Sequence, residues 1–339
     1  MNLAIAFAQT ALDNADKTAI FWGDSEIPYK QLQQIANGVA EALRSSFGVT
    51  KGQRVGIWLK NRPEFASALF GVLQAGAVAV PINNFLKPAE VSFILQDAGI
   101  EVLITDASSM EAMEKLRAAC PGLKELRVEQ FAALFTAPEL PEMTENDLAV
   151  IIYTSGTTGH PKGAMLSHGN ILANVESCRV VLAALGEDRF LLALPMFHSF
   201  MLTVCVFLPL LIGGSFVLVK TLHPPKNIVM EMIQRRATIV PAVPQFLPRF
   251  DAWRSSHAIA GACVHQRRRA AAGGNPQRVY QPFSDPAFGR LRLERGQPGL
   301  LVQPHSRPVE SRFDWRAYQR RGNVCSRRSR QNPFRRRNR

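Results

Sequence analysis

The first 250 residues alternate two kinds of segment, and this alternation constrains the fold more than any other feature of the chain. YKQLQQIANGVAEALRSS, PEFASALFGVLQAGA, KPAEVSFILQDAG, NILANVESCRVVLAAL and NIVMEMIQRRA carry apolar residues at helical spacing. Between them stand short, almost uninterrupted apolar runs: QRVGIWLK, VAVPIN, IEVLITD, DLAVIIYTSG and TIVPAVP. A strand wetted on one face alternates apolar with polar residues, whereas a continuous apolar run suits a strand covered on both faces. Strands separated by helix-length crossovers run parallel. The pattern predicts an α/β fold of mainly parallel sheets flanked by helices over residues 1–250.

One stretch competes with that reading. Phe190 to Val219 contains no formally charged residue and is long enough to cross a bilayer. Pro195, Pro209 and the pair Gly213-Gly214 cut it into pieces of strand or buried-helix length, so a buried strand, helix and strand are expected instead of a transmembrane helix. The opening MNLAIAFAQTALDNADK has no cationic leader and is interrupted by Asp13, which does not suit a signal peptide. The five cysteines are odd in number and include no CxxC pair, which argues against a disulfide framework or zinc site and for a reduced, cytoplasmic setting.

Charge divides the chain in two. The formal charge of +13 splits into −2 over residues 1–250 (ten Lys, ten Arg, 22 Asp plus Glu) and +15 over 251–339 (20 Arg, no Lys, three Asp, two Glu). An arm that attracts phosphate through charge usually mixes Lys with Arg. A tail of arginine alone, without apolar periodicity, suits a nucleic-acid arm poorly and is expected to be disordered.

The sharpest local signal is IIYTSGTTGHPKG, Ile151 to Gly163. An apolar strand ends at Tyr153, and the next six residues are all Gly, Ser or Thr. Pro161, Lys162 and Gly163 follow, with a helix expected some residues later. Glycines let backbone N–H groups approach anionic oxygens, hydroxyls add donors, and one lysine adds a mobile positive charge. The loop suits a polyphosphate. It is not the G-x-x-x-x-G-K-[ST] loop, because Lys162 stands between Pro161 and Gly163.

YTSGTTGHPKG resembles the phosphate-loop signature of the adenylate-forming (AMP-binding) acyl-CoA synthetases, in particular the long-chain fatty acid–CoA ligases. The resemblance runs from about residue 28 to 250, with support from YKQLQQIANGVAEAL, KGQRVGIWLKNRPEFASALFGVLQAGAVAVPIN and LPMFHSFML. It implies the large N-terminal domain of that fold. It also implies an activity: ATP converts a fatty acid to an acyl-adenylate, and coenzyme A then displaces AMP, with Mg2+ attending the phosphates. Thr154, Ser155, Gly156, Thr157, Thr158, Gly159 and Lys162 would hold the β- and γ-phosphates. His198, in PMFHSF, matches a histidine beside the acyl and nucleotide pocket; from the residues alone, a core histidine bonded to a backbone carbonyl is the alternative. Ser199, Phe200 and Met201 follow it where the family often has an aromatic residue or a glycine. The apolar run beyond suits a fatty-acyl chain or a plain core. The implied partners are fatty acid, ATP and coenzyme A, with peripheral membrane contact allowed and no specific nucleic acid. An adenylating enzyme that loads a carrier protein is the alternative.

The family's later blocks, among them a Tyr-Gly-x-[ST]-Glu motif and a C-terminal domain with a catalytic lysine, do not stand in the tail as written. They can be encoded one base out of phase. Suitable codons for RLRLERGQP, Arg290 to Pro298, read one base later, give GYGLSEASP. CVHQRRRAAAGGNP (Cys263 to Pro276) can give VFISGGAPLPAEIL, and ESRFDW (Glu310 to Trp315) can give KAGSIG. Three matches in family order and in one frame predict that residues 251–339 are read out of frame. The expected polypeptide is therefore an incomplete, catalytically defective N-terminal domain.

Overall fold

A computed structural model of the chain describes residues 1–136, 138–154, 161–224 and 226–241. These lie within one unit, Met1–Arg292. The expected out-of-frame, disordered tail 251–339 lies outside the described residues, as do Ser155, Gly156, Thr157, Thr158 and Gly159 of the loop.

Helix α1 (Leu3–Asp13) starts where the Asn2 side chain accepts from the Ile5 amide at 3.0 Å. The hairpin β1 (Thr18–Trp22) and β2 (Ser25–Pro28) turns at Gly23, whose φ of 58° favours glycine. Helix α2 (Tyr29–Glu41) runs into a π turn, Ala42–Ser46. Then β3 (Arg54–Ile57), α3 (Glu64–Gln74), β4 (Val78–Pro81), α4 (Pro88–Asp97), β5 (Val102–Thr105), α5 (Met110–Ala119) and β6 (Lys124–Arg127) alternate as strand and crossover helix. The chain continues through β7 (Leu148–Thr154), β8 (Lys162–Ser167), α6 (His168–Val181) and β9 (Arg189–Leu192). After α7 (Ser199–Met201), a π segment (Leu202–Phe207) and α8 (Leu208–Ile212) come β10 (Ser215–Leu218) and α9 (Lys226–Gln234).

Two sheets result. The six-stranded sheet has the order β6-β5-β3-β4-β7-β8, with every pair parallel except β7–β8. The four-stranded sheet has the order β2-β1-β10-β9, with only β1–β2 antiparallel. Each is a parallel core with one antiparallel edge.

Strand alternation builds the layers. Val55, Ile57, Ala79, Val102, Ile104, Val150 and Ile152 point to an inner core shared with Phe7, Leu32, Phe65, Phe70 and Phe207 of the central helices. Ile20, Phe190, Leu192, Phe216 and Leu218 of the four-stranded sheet join that same core. The residues between them, Val78, Val80, Leu103 and Ile151, face α4 and α5 through Val91, Ile94, Leu95, Met113 and Leu116. On the far side, Phe21, Leu191 and Val217 are covered by Ile228, Val229 and Met232 of α9. The order of layers is helix, sheet, helices, sheet, helix.

The five helical segments form helices, and Phe190–Val219 is the expected strand, helix and strand. No helix among the described residues is long and apolar enough to cross a membrane. Lys162–Ser167 is an unanticipated strand that folds back on β7, and the helix expected after the loop follows it as α6, from His168. Of the expected strand TIVPAVP, residues 238–241 are described, and these contribute a single parallel bridge, Phe190 with Ile239, instead of a regular strand. Pro241 follows that bridge by two residues, and proline cannot donate to a ladder. The β1–β2 hairpin, α5 and β6 were not anticipated.

Candidate active site

In the six-stranded sheet β3, β4, β5 and β7 run parallel, so their carboxyl ends share one edge. In open α/β sheets ligands bind beyond that edge. The loop after β7 emerges there. Its two ends are fixed by hairpin pairing, with Thr154 directly opposite Lys162 and Tyr153 opposite Gly163. Opposed residues on antiparallel strands project to the same face. Thr154 is in phase with Val150 and Ile152, so Thr154 and Lys162 project toward the inner-core side; Tyr153 and Gly163 project toward α4. Both Thr154 and Lys162 are solvent-exposed. A hydroxyl and an ammonium therefore face each other across the mouth of a loop of Gly, Ser and Thr.

His198 stands beyond the carboxyl end of β9, on the segment that enters α7. It is exposed, and its Nδ1 accepts from the Phe200 amide at 3.3 Å, which caps the helix. It is not a core histidine. The core histidine is His168, which is 0% exposed at the start of α6. Its Nδ1 accepts from the Leu3 amide at 3.2 Å, its Nε2 has no hydrogen-bond partner among the described residues, and burial lowers its pKa to about 4.

Two contacts tie the His198 segment to the six-stranded sheet. Asn61, beyond β3, donates from Nδ2 to the Leu194 carbonyl and accepts at Oδ1 from the Met196 amide, both at 2.9 Å. Its amide group thus binds a backbone segment as a neighbouring strand would. Phe85, beyond β4, meets Phe197 edge to face, with centroids 6.2 Å apart at 77°. Since β4 is the hydrogen-bonded neighbour of β7, these contacts place the His198 segment along the edge that carries Thr154 and Lys162. Met196, Met201 and Leu202 lie in the same inner core as Val150 and Ile152. Asn61 and Phe85 escaped the sequence reading, because an asparagine whose partners are backbone atoms 133 and 135 residues away leaves no local pattern.

The apolar run after His198 is core. Met201, Leu202, Val206, Phe207 and Leu208 are buried, with Phe207 edge-on to Phe70 at 5.9 Å. It therefore carries no argument for a fatty-acyl chain. Cys120, Cys178 and Cys205 are free thiols. Among the described residues no group of three or more His, Cys, Asp or Glu could hold a metal ion. The described residues do not by themselves offer a ligand set for Mg2+.

The sequence pattern of the AMP-binding enzymes matches residues 7–285. The match begins before residue 28 and extends past residue 250 into the arginine-rich region. A feruloyl-CoA synthase from an Amycolatopsis species is 36% identical over 304 residues, covering 86% of this chain and 59% of that protein. The long-chain-fatty-acid–CoA ligase FadD13 of Mycobacterium tuberculosis is 36% identical over 192 residues, covering 54% of this chain and 38% of that protein. An inhibitor-bound N-terminal domain of FACL13 from Mycobacterium tuberculosis has the same fold, with a TM-score of 0.68 at 31% identity, covering 73% of this chain and 64% of that one. The chain spans little more than half the length of the first relative and less of the second. The match over residues 7–285, most of the chain, establishes that the chain belongs to the family of AMP-binding enzymes.

Proposed function

We propose that this chain carries the triphosphate-holding part of an acid–CoA ligase whose acid is a fatty acid. The observation that carries the reading is the opposed pair Thr154 and Lys162 at the mouth of a Gly/Ser/Thr loop on the carboxyl edge of the sheet. In the proposed reaction a carboxylate oxygen attacks the α-phosphorus of ATP and pyrophosphate leaves. The thiol of coenzyme A then attacks the acyl carbonyl, and AMP leaves with the electrons of the broken C–O bond. Thr154, Ser155, Gly156, Thr157, Thr158, Gly159 and Lys162 would hold the β- and γ-phosphates and stabilise the charge that gathers on departing pyrophosphate. His198 would line the acyl side. Mg2+ would arrive on the triphosphate and neutralise part of its charge. Transient contact with a membrane would supply the acid.

A second acid is favoured by one observation: the feruloyl-CoA synthase matches this chain at 36% identity over 86% of its length. An aromatic acid is therefore the competing substrate.

We also propose that residues 251–339 are translated out of phase, which accounts for 20 arginines without a lysine. The chain as it stands would then lack the groups that complete adenylation. Sequencing the gene around codon 250 tests this; a second frame without the peptides GYGLSEASP and VFISGGAPLPAEIL contradicts it. Pyrophosphate release tests the function. The in-phase gene product is expected to release it with ATP and palmitate, more slowly with ferulate, and the 339-residue chain with neither. Faster release with ferulate makes the enzyme an aromatic-acid ligase, and robust turnover by the 339-residue chain contradicts the proposed defect.

A further inference from the structure

The side chain next to the loop is held at three places. Tyr153 packs on the core between the six-stranded sheet and α4. Its ring lies across Gly163: a Cβ there would stand 3.1 Å from Cζ and 3.3 Å from Cε2, and 2.8 Å from Ile151 Cγ2. Its hydroxyl donates to Oδ2 of Asp97, the last residue of α4. Burial, followed by that hydrogen bond, raises the pKa of the phenol, which keeps the hydroxyl a donor. Asp97 is fixed in turn, because Val91, Ile94 and Leu95 of the same helix are buried against the sheet.

We infer that Tyr153, Gly163 and Asp97 form an anchor that sets the spacing and facing of Thr154 and Lys162, so that Tyr153 and Asp97 are positioning residues for the triphosphate. The inference rests on residues 154–162 being the triphosphate site. Tyr153 projects to the α4 side, away from Thr154 and Lys162, and need not touch the ligand. It acts by holding the end of β7, just before the loop, against the start of β8. Without the hydroxyl, the ring keeps its packing but the strand end gains freedom, and ordering it again on binding weakens affinity. Because the hydrogen bond is exposed to solvent, the effect is modest.

Calorimetric titration of the full chain with MgATP tests this, using Tyr153→Phe, Asp97→Ala, Asp97→Asn and the double variant Tyr153→Phe/Asp97→Ala. Tyr153→Phe and Asp97→Ala are each expected to weaken binding about three- to tenfold, with the unfolding temperature unchanged. Asp97→Asn retains an acceptor oxygen and is expected to bind close to the unsubstituted chain. The double variant is expected to bind no more weakly than either single one, because both remove the same bond. Tyr153→Phe binding ATP as the unsubstituted chain does, or effects that multiply in the double variant, would overturn the anchor alone. Failure of the unsubstituted chain to bind ATP would overturn the reading of the loop itself, and the anchor with it.

Discussion

Lys162 and His168 lie on one short stretch of chain but meet opposite surroundings. Lys162 is exposed at the mouth of the loop, whereas His168 is wholly buried beneath α1. Replacing Lys162 by Ala should cost no stability and weaken MgATP binding at least about tenfold, roughly the loss of one charge-assisted bond to phosphate. Lys162→Arg should recover only part of it, since the guanidinium is a planar fork in place of a compact charge. For His168 the sign follows from burial. Its folded pKa of about 4 lies below the ordinary 6.5, so the unfolded chain takes up a proton first as pH falls. The stability it protects is complete above about pH 6.5 and is lost as pH falls toward 4, on the order of 3 kcal/mol in all. Urea unfolding should show this slope in the unsubstituted chain and a shallower one in His168→Asn, whose Oδ1 can still accept from the Leu3 amide. Equal slopes would mean that another group controls the acid transition. At this scale the sequence disclosed Thr154 and Lys162, because a polar loop after an apolar strand is a local pattern. It left His198 open between core and site and said nothing of Asn61. Burial and partners 133 or more residues away are not written locally.

Among the elements, α2 and α3 approach each other closely at Gly71. A Cβ there would stand 2.6 Å from Val39 Cβ and 2.9 Å from the Ala36 carbonyl oxygen. Gly71→Ala gains about 1 kcal/mol of helix propensity but forces a backbone carbonyl aside, and overpacking of this kind costs about 1–3 kcal/mol. The net effect should be destabilising in thermal unfolding; a rise in melting temperature would show that the helices separate freely. Strand β8 is the edge of its sheet among the described residues, and Met165 on it is 66% exposed. Exposed apolar edges template aggregation. Met165→Lys should therefore slow concentration-dependent light scattering without shifting the melting temperature, and unchanged scattering would place the sticky surface elsewhere. The crossover helices and buried strands were legible because both faces of each strand are covered. β8 was not, since KGAMLS buries no residue fully and offers neither a continuous apolar run nor clean alternation. β2, SEIP, is half polar and half exposed, and offers no apolar run.

For the molecule as a whole, the alternation of segments predicted parallel sheets, but not their division into sheets of four and six strands around shared helices. That division depends on which distant strands pair: β1, near the start of the chain, lies beside β10. The charge split is the other feature of this scale. If residues 251–339 are out of phase, any retention of DNA by the chain should fall with salt, show no sequence preference and vanish on removal of residues 255–339. Sequence-selective retention at physiological salt would make the tail a working arm. The claim on which the rest depends is that residues 154–162 hold a triphosphate, and calorimetric titration of the folded 339-residue chain with MgATP tests it most directly. Saturable binding that pyrophosphate displaces and Lys162→Ala weakens at least about tenfold is the expected result; no binding, or binding indifferent to Lys162, contradicts it.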